Sequence, residues 1–347
     1  MQARHKLILI VTLSCSFALC IVVALVYLIY VCKRKWCLKN ETWDKESNFE
    51  VEEVETKGEL IKFEGGQDLT SLDILDAPGE VIGKSSYGTL YRANLVTSDS
   101  VVVLRFLRPA CTRDVQDVMH VVQLLGLIRH PNLVPLCGFY VGSRSEKLLV
   151  HPFYRRGNLA QFIKDGNGEL HKWRVIYEIT VGIAKGLHHL HTGLQKPIIH
   201  GNLKSKNIFL GQNRQPFVSD FGIHLLLNTS AAQEMVEDAA VEGYKPPELI
   251  KPENASFETD IFNFGVILLE LLGDKKPNNN DKQIHDQETR SNAILDNWIM
   301  DPVDEENIMK LSQLAIACCS PLPSFRPDIK YICKKLQDIV SCRSESR

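Results

Sequence analysis

The chain has 347 residues, 44% of them hydrophobic, and a formal net charge of −2 at pH 7. This length suffices for one large hydrophobic core or two modest ones, and the near-neutral charge argues against a nucleic-acid-binding protein. The ten cysteines follow no repeated spacing, so neither a disulfide framework nor a CxxC metal site is indicated, and the folded part is expected in a reducing compartment.

The first predicted element is an apolar run near the N-terminus. Residues 7–32 contain no charged side chain, and a helix of that length would span about 39 Å, against about 30 Å of membrane hydrocarbon. We therefore predict one membrane-spanning helix, preceded by a short extracytoplasmic segment at residues 1–6. The basic cluster at residues 33–39 outweighs Arg4 and Lys6, which places the C-terminal side in the cytoplasm. A secretory signal peptide is the alternative, although its apolar region usually spans only about 7–15 residues.

Residues 33–69 are predicted to be a linker that is first basic and then acidic. Between residues 41 and 59, eight acidic side chains accompany two lysines, a composition that favours a solvated spacer over a docking motif. Cys32 and Cys37 lie where palmitoylation of a membrane-proximal cysteine is typical, and two unmodified thiols are an equal alternative.

A folded domain is predicted over residues 70–342. Its first part, "GEVIGKSSYGTLYRANL" followed by "SVVVLRFLR", alternates apolar and polar residues around a glycine turn and predicts three strands. The next predicted elements are one helix and two strands, at residues 115–128, 135–141 and 147–152. From residue 158 onward the apolar period is mostly helical. This order predicts an α+β fold in which a small, sheet-rich lobe joins a larger helical lobe near residues 152–157.

Seven short motifs give a more specific signal. In chain order they are "GKSSYGTLY", "IRHPNLVPL", "HGNLKSKN", "SDFG", "GYKPPEL", "TDIFNFG" and "FRPD". Their order and spacing resemble the protein-kinase signature set, and the sequence leading into them is similar to that of plant leucine-rich-repeat receptor-like kinases. The resemblance implies a bilobal protein-kinase-like fold after one transmembrane helix, at the plasma membrane with the kinase-like domain in the cytoplasm. We expect a degenerate member without the repeat-bearing ectodomain.

The resemblance assigns the nucleotide-binding positions to the first lobe and the hinge. They are Gly83, Ser85, Gly88, Val103, Arg105, His151 and Phe153. Ser85 replaces the middle glycine of the phosphate-binding loop, and Val103 replaces the small residue over adenine, so we expect a weakened and crowded pocket. Arg105 stands where kinases carry a phosphate-binding lysine, to which a guanidinium is not equivalent, and an alignment shifted by one residue puts Leu104 there instead. The helix glutamate that pairs with this lysine falls on Val121, which we expect to face the core.

The catalytic loop departs from the pattern H-R-D-L-K-x-x-N at two positions. Gly201 replaces the arginine, and Asn202 replaces the aspartate that orients the attacking hydroxyl. An amide cannot take up a proton near neutral pH, and loss of a general base typically costs about 10²- to 10⁴-fold in rate. The degenerate catalytic positions implied by the resemblance are Asn202, Lys204 and Arg105. The implied metal ligands are Asn207 and Asp220.

Three other residues that match the kinase pattern are expected to stabilise the fold and to have no catalytic role. Glu248 and Arg326 match the family's structural ion pair, and Asp260 matches the acid that braces the catalytic loop. His151, beside the adenine pocket, is expected to be packed and hydrogen-bonded, a commoner state for such a histidine than a pH switch.

Three functions remain open at this point. The first is a membrane-anchored receptor-like pseudokinase that acts as a scaffold or regulator of active kinases, with weak or absent binding of ATP and Mg²⁺. The second is a low-activity serine/threonine kinase, and the third is a decoy for a modifying enzyme. The expected partners are the membrane and other receptor-like kinases or signalling proteins, with no nucleic acid.

Overall fold

The structure is a computed structural model, and it describes residues 58–95, 99–165, 172–273 and 302–341. The predicted membrane helix, the segment before it, and both Cys32 and Cys37 lie outside these ranges. None of the helices within them is long and apolar enough to cross a membrane.

The first lobe contains a six-stranded sheet over the described residues. Its strands are β1 (Glu59–Lys62), β2 (Gly79–Ser85), β3 (Gly88–Leu95), β4 (Ser100–Leu107), β5 (Gly138–Val141) and β6 (Lys147–Pro152). They lie in the order β1-β5-β6-β4-β3-β2, and every neighbouring pair is antiparallel. The predicted strand at residues 135–141 begins only at Gly138, since Pro135 has no N–H to donate to a neighbouring strand.

β1 lies inside the segment that the sequence assigned to the linker. Leu60 and Ile61 pair with Tyr140 and Phe139 of β5, so the folded domain begins before residue 70. A strand of four residues is too short to show a hydrophobic period, and the acidic residues before it favoured the prediction of a linker.

Two helices accompany the sheet. They are α1 (Ser71–Asp76) and α2 (Val115–Gly126). Thr70 begins α1 with a capping box, in which its hydroxyl accepts from the Asp73 N–H and the Asp73 carboxylate accepts in return. α2 buries Val118, Val122 and Leu125 at helical spacing, which is why the predicted helix forms there.

The second lobe is mainly helical. Its described elements are α3 (Leu159–Asp165), α4 (Trp173–Thr192), α5 (Thr229–Val241), α6 (Phe257–Leu271), α7 (Pro302–Cys318), α8 (Ile329–Ser341) and the hairpin strands β7 (Ile208–Leu210) and β8 (Pro216–Val218). α4 buries one face at helical spacing, and α6 is buried on almost all sides. One hydrophobic core runs from Tyr87 and Leu107 in the first lobe through both of these helices. The lobes are therefore packed together, with the catalytic loop between α4 and β7.

Candidate functional site

A cleft of about 450 Å³ lies between the sheet and the helical lobe. Ile82 of β2 and Leu90 of β3 line one side of it, and Phe209 of β7 also lines it. Of the site positions that the sequence predicted, Gly83, Ser85, Arg105, Phe153, Asn202, Lys204, Asn207 and Asp220 line this cleft. The elements of both lobes thus bring these eight residues together.

Three predicted nucleotide-binding residues do not line the cleft. Gly88 lies where β3 and β4 approach closely, and a side chain there would collide with the carbonyl oxygen of Phe106. Val103 is buried in the sheet. His151 lines a separate small cavity of about 20 Å³ and hydrogen-bonds the Pro135 carbonyl through Nδ1 at 2.9 Å. Burial lowers the pKa of His151, so its ring is neutral near pH 7.

The strand register decides which residue replaces the kinase lysine. Arg105 pairs with Leu90 of β3 and Leu149 of β6, and its side chain lines the cleft. Leu104 belongs to a second hydrophobic cluster, because neighbouring residues of a strand point to opposite faces. The alignment with Arg105 at this position is therefore the one that the structure supports.

Arg105 forms a buried ion pair with Asp220. One terminal nitrogen of its guanidinium lies 2.6 Å from both carboxylate oxygens of Asp220, and the two side chains are only 5% and 8% exposed. Burial alone would lower the pKa of Arg105, but the Asp220 carboxylate raises it overall. Asp220 adopts a positive φ of 64°, which aspartate tolerates better than most residues.

Tyr87 lines the same cleft from the glycine loop, residues 83–88. Burial raises the pKa of Tyr87, and the positive charge of Arg105 works against that rise. Val121, at the position of the helix glutamate, is partly buried and packs against the core. The cation of β4 therefore has its partner in Asp220, which the sequence pattern did not link to it.

One of the two residues predicted as metal ligands, Asp220, is paired with a cation of the chain itself. A magnesium site needs free oxygen ligands, but both oxygens of Asp220 accept from Arg105. Asn207 donates from Nδ2 to the backbone oxygen of Asn202 at 2.9 Å, a hydrogen bond that does not use Oδ1, the atom that would bind a metal. In the described ranges, no group of three or more His, Cys, Asp or Glu side chains is arranged for a metal. The metal site at these positions stays a prediction, and the guanidinium of Arg105 lies against one of its two expected ligands.

The catalytic loop is held by a buried acid, as the sequence predicted. Asp260 accepts hydrogen bonds from the backbone N–H groups of His200 (2.7 Å) and Gly201 (3.0 Å) and pairs with His191 Nε2 (2.9 Å). Burial alone would raise the pKa of Asp260, but the hydrogen bond and charge of His191 lower it overall. Asn202 follows at 5% exposure, so the loop keeps a kinase-like shape without the carboxylate at that position.

An acidic residue just after α5 forms ion pairs with the two lysines of the catalytic loop. Glu242 lies 3.1 Å from Lys204 and 3.3 Å from Lys206. Burial would raise the pKa of Glu242, but the two lysines lower it overall. Within α5, Asp238 accepts from the hydroxyl of Ser86 in the glycine loop at 3.1 Å. Sequence reasoning missed these contacts, because nothing in the acidic stretch before "GYKPPEL" marks which acid turns toward the cleft.

The predicted structural ion pair is present. Arg326 donates to both oxygens of Glu248, at 2.5 and 2.9 Å, and also to the backbone oxygen of Glu258. The Arg326 side chain is fully buried, so this bidentate pair ties α6 and the segment before it to the chain that leads into α8.

Comparisons with known proteins agree with this architecture. The family described as protein tyrosine and serine/threonine kinase matches residues 77–336. The kinase-like protein TMKL1 of Arabidopsis thaliana is 35% identical over 327 residues, which cover 88% of this chain and 48% of TMKL1. The leucine-rich repeat receptor-like protein kinase IMK3 of the same plant is 35% identical over 296 residues, 82% of this chain and 37% of IMK3. The chain thus spans less than half the length of these two relatives.

Two solved structures resemble the fold. The kinase domain of maize SIRK1, a sucrose-induced receptor kinase bound to AMP-PNP, matches 81% of this chain and 99% of that domain, with 26% identity and a TM-score of 0.69. The pseudokinase domain of BIR2, an immune regulator of the RLK/Pelle family, matches 77% of this chain and 82% of that chain, with 28% identity and a TM-score of 0.64. Other similar Arabidopsis proteins carry the name inactive receptor kinase. The chain therefore belongs to the protein tyrosine and serine/threonine kinase family, and its homologues are plant leucine-rich repeat receptor-like kinases and inactive receptor kinases.

Proposed function

We propose that the chain is a membrane-anchored receptor-like pseudokinase that regulates active kinases by binding them. The observation that carries this proposal is the buried Arg105–Asp220 ion pair beside Asn202. Phosphate transfer needs a base or orienting carboxylate, a cation on the phosphates and a metal held by acidic ligands. Here the carboxylate at 202 is an amide, and the surviving acid is neutralised from within the chain.

A second residue retained from the catalytic pattern, Lys204, is also paired with an internal acid. Lys204, which in the family steadies the transferred phosphoryl group, lies against Glu242. An ATP phosphate would therefore compete with an internal carboxylate for this lysine. We expect ATP affinity to be weak for this reason.

The membrane part of the proposal rests on the sequence. Residues 7–32 form the anchor, residues 1–6 lie outside, and residues 33–57 connect the anchor to a cytoplasmic kinase-like domain at the plasma membrane. The receptor-like kinases among its relatives support this placement. The likeness to BIR2, an immune regulator, supports a partner among active receptor-like kinases.

A low-activity serine/threonine kinase is the second candidate. The cleft is open to about 450 Å³, and the SIRK1 domain, which has the same fold, was crystallised with AMP-PNP. In that case Arg105 would have to leave Asp220 and contact the phosphates, which breaks a buried ion pair and costs about 3–5 kcal/mol.

Partner identification tests the proposal directly. The full chain and a version that ends at residue 57 would each be expressed in plant cells, cross-linked in intact membranes and isolated. We expect receptor-like kinases to be enriched on the full chain over the shortened control. Enrichment of modifying enzymes without any kinase would favour the decoy, and the absence of kinases from both samples would contradict regulation by binding.

A further inference from the structure

Two acidic residues that line the cleft are paired with cations of the same chain. Asp220 is paired with Arg105, and Glu242 is paired with Lys204 and Lys206. Where a kinase of this family recruits a divalent ion to neutralise its acid and its nucleotide, this chain places the guanidinium of Arg105 directly against the acid. The pair is deeply buried, so its mutual attraction is screened little by salt or water.

The guanidinium also retains a free donor. Nε of Arg105 is buried and has no hydrogen-bond partner among the described residues, although the side chain lines the cleft. A buried N–H without an acceptor is costly, and an anionic oxygen in the cleft would satisfy it. Lys84 and Arg155 line the same cleft and are exposed, so further positive charge lies near the rim.

We propose that Arg105 takes the place of a divalent metal ion in this cleft, which therefore excludes Mg²⁺ and Mn²⁺ and receives a nucleoside phosphate as a metal-free anion. This inference rests on the proposed function only in treating the cleft as a nucleotide-type site. It adds that the site has changed its cation requirement. Arg105 is the residue that determines this specificity, because its guanidinium holds a fixed positive charge against both oxygens that a metal would contact.

Metal binding is tested by titrating the full chain in detergent with Mn²⁺. The electron paramagnetic resonance signal of free Mn²⁺ reports how much of the ion stays unbound. With wild type, the signal of free Mn²⁺ should fall only by the small amount that weak binding causes in all variants. Arg105→Met leaves the buried carboxylate of Asp220 without a cation, so this variant should gain one Mn²⁺ site. At a free Mn²⁺ concentration a hundredfold above Kd, its Tm should rise by roughly 5 °C. Arg105→Met with Asp220→Asn removes that carboxylate and should lose the gain.

Two outcomes of the metal titration would overturn the proposal. One is Mn²⁺ binding by wild type that disappears in Asp220→Asn, and the other is a folded Arg105→Met variant that gains no site. If Arg105→Met does not fold, Arg105→Lys replaces it, because one ammonium on a flexible stem does not reproduce the planar guanidinium. A Lys variant without added Mn²⁺ affinity would then count against the proposal.

Binding of the metal-free nucleotide is tested by thermal unfolding of wild type, monitored through tryptophan fluorescence. ATP with EDTA should raise Tm more than ATP with excess MgCl₂, because Mg²⁺ withdraws the metal-free anion, and Arg105→Met should lose most of the EDTA response. A shift that requires Mg²⁺, or no shift under either condition, would overturn this part. Neither experiment measures phosphate transfer or partner binding, so its failure would be distinguishable from failure of the pseudokinase proposal.

Discussion

Gly201 occupies a position in the catalytic loop where a side chain would be strained for two reasons. Its φ is 76°, in the left-handed region that favours glycine. A Cβ atom there would also lie 2.6 Å from Cε1 and 2.9 Å from Cγ of the His224 ring. The glycine that replaces the family's arginine has therefore become part of the packing around His224.

Gly201→Ala should lower the free energy of unfolding by about 2–4 kcal/mol, from backbone strain and from the collision with His224. Gly273→Ala is the matched control, because Gly273 has a φ of 78° and none of the described residues comes within 4 Å of the position of an added Cβ. That control should cost only about 1 kcal/mol. Urea unfolding of both variants measures the difference, and equal losses would show that the His224 contact is unimportant.

Asp260 gives a prediction about pH at the same scale. Replacing it with Asn removes a carboxylate that accepts two backbone N–H groups and pairs with His191, and should cost about 3 kcal/mol near pH 7. Because the folded-state pKa of Asp260 is lowered, its contribution is present above the ordinary value near 3.8 and is lost as the pH falls through the folded value. The stability gap between wild type and Asp260→Asn should therefore shrink below about pH 4.

The control for this change is Asp165→Asn, at the exposed end of α3, which should alter stability by less than about 0.5 kcal/mol. A gap between wild type and Asp260→Asn that persists unchanged down to pH 2 would be inconsistent with the lowered pKa of this acid.

At the scale of secondary-structure elements, α5 and the residue after it link the two sides of the cleft. Asp238 contacts Ser86 of the glycine loop, and Glu242 contacts Lys204 and Lys206. The helix also buries Met235 and Val236 on its inner face, so its carboxylates are presented by a packed element. α5 therefore limits access of an anion to the catalytic-loop lysines.

Glu242→Gln should increase the affinity for ATP about three- to tenfold, a gain of roughly 1 kcal/mol, because both lysines lose their internal anion. Glu237→Gln is the control on the same helix, since Glu237 is exposed and does not line the cleft. Fluorescence titration with a nucleotide analogue gives both affinities. An unchanged affinity in Glu242→Gln would mean that this carboxylate does not compete with the ligand.

Much of the element order could be predicted from the sequence, and the tertiary pairings could not. Apolar periods predicted β2, β3, β4, β6 and α2 because each is long enough to show its repeat. β1 has four residues and gave no such signal. Arg105 and Asp220 are 115 positions apart, and the family pattern supplies no arginine to pair with that acid. Their contact follows from packing that periodicity does not encode.

At the scale of the whole molecule, the anchor and the kinase-like domain are expected to act together. The full chain should remain in the membrane pellet after carbonate extraction, because an inserted helix of 26 apolar or uncharged residues is not released by high pH. A version that begins at residue 58 is the control and should be released. Release of the full chain would contradict an integral anchor.

We propose that phosphate transfer has been lost at several coupled positions. Arg105, Val121 and Asn202 each lack a group that the reaction needs, and catalytic residues that act as a unit are strongly non-additive. Restoring one of them leaves the other two defects in place, and restoring all three also releases Asp220 from the guanidinium.

The most direct test is phosphate transfer from ATP to a basic protein substrate by the full chain. Wild type and the single variants Arg105→Lys, Val121→Glu and Asn202→Asp should all remain at the level of the Asp220→Ala control. The triple variant should exceed that level by at least about tenfold, since it regains the cation, its partner and the base together. Metal-dependent transfer by wild type that is abolished in Asp220→Ala would contradict the account and identify the chain as an active kinase.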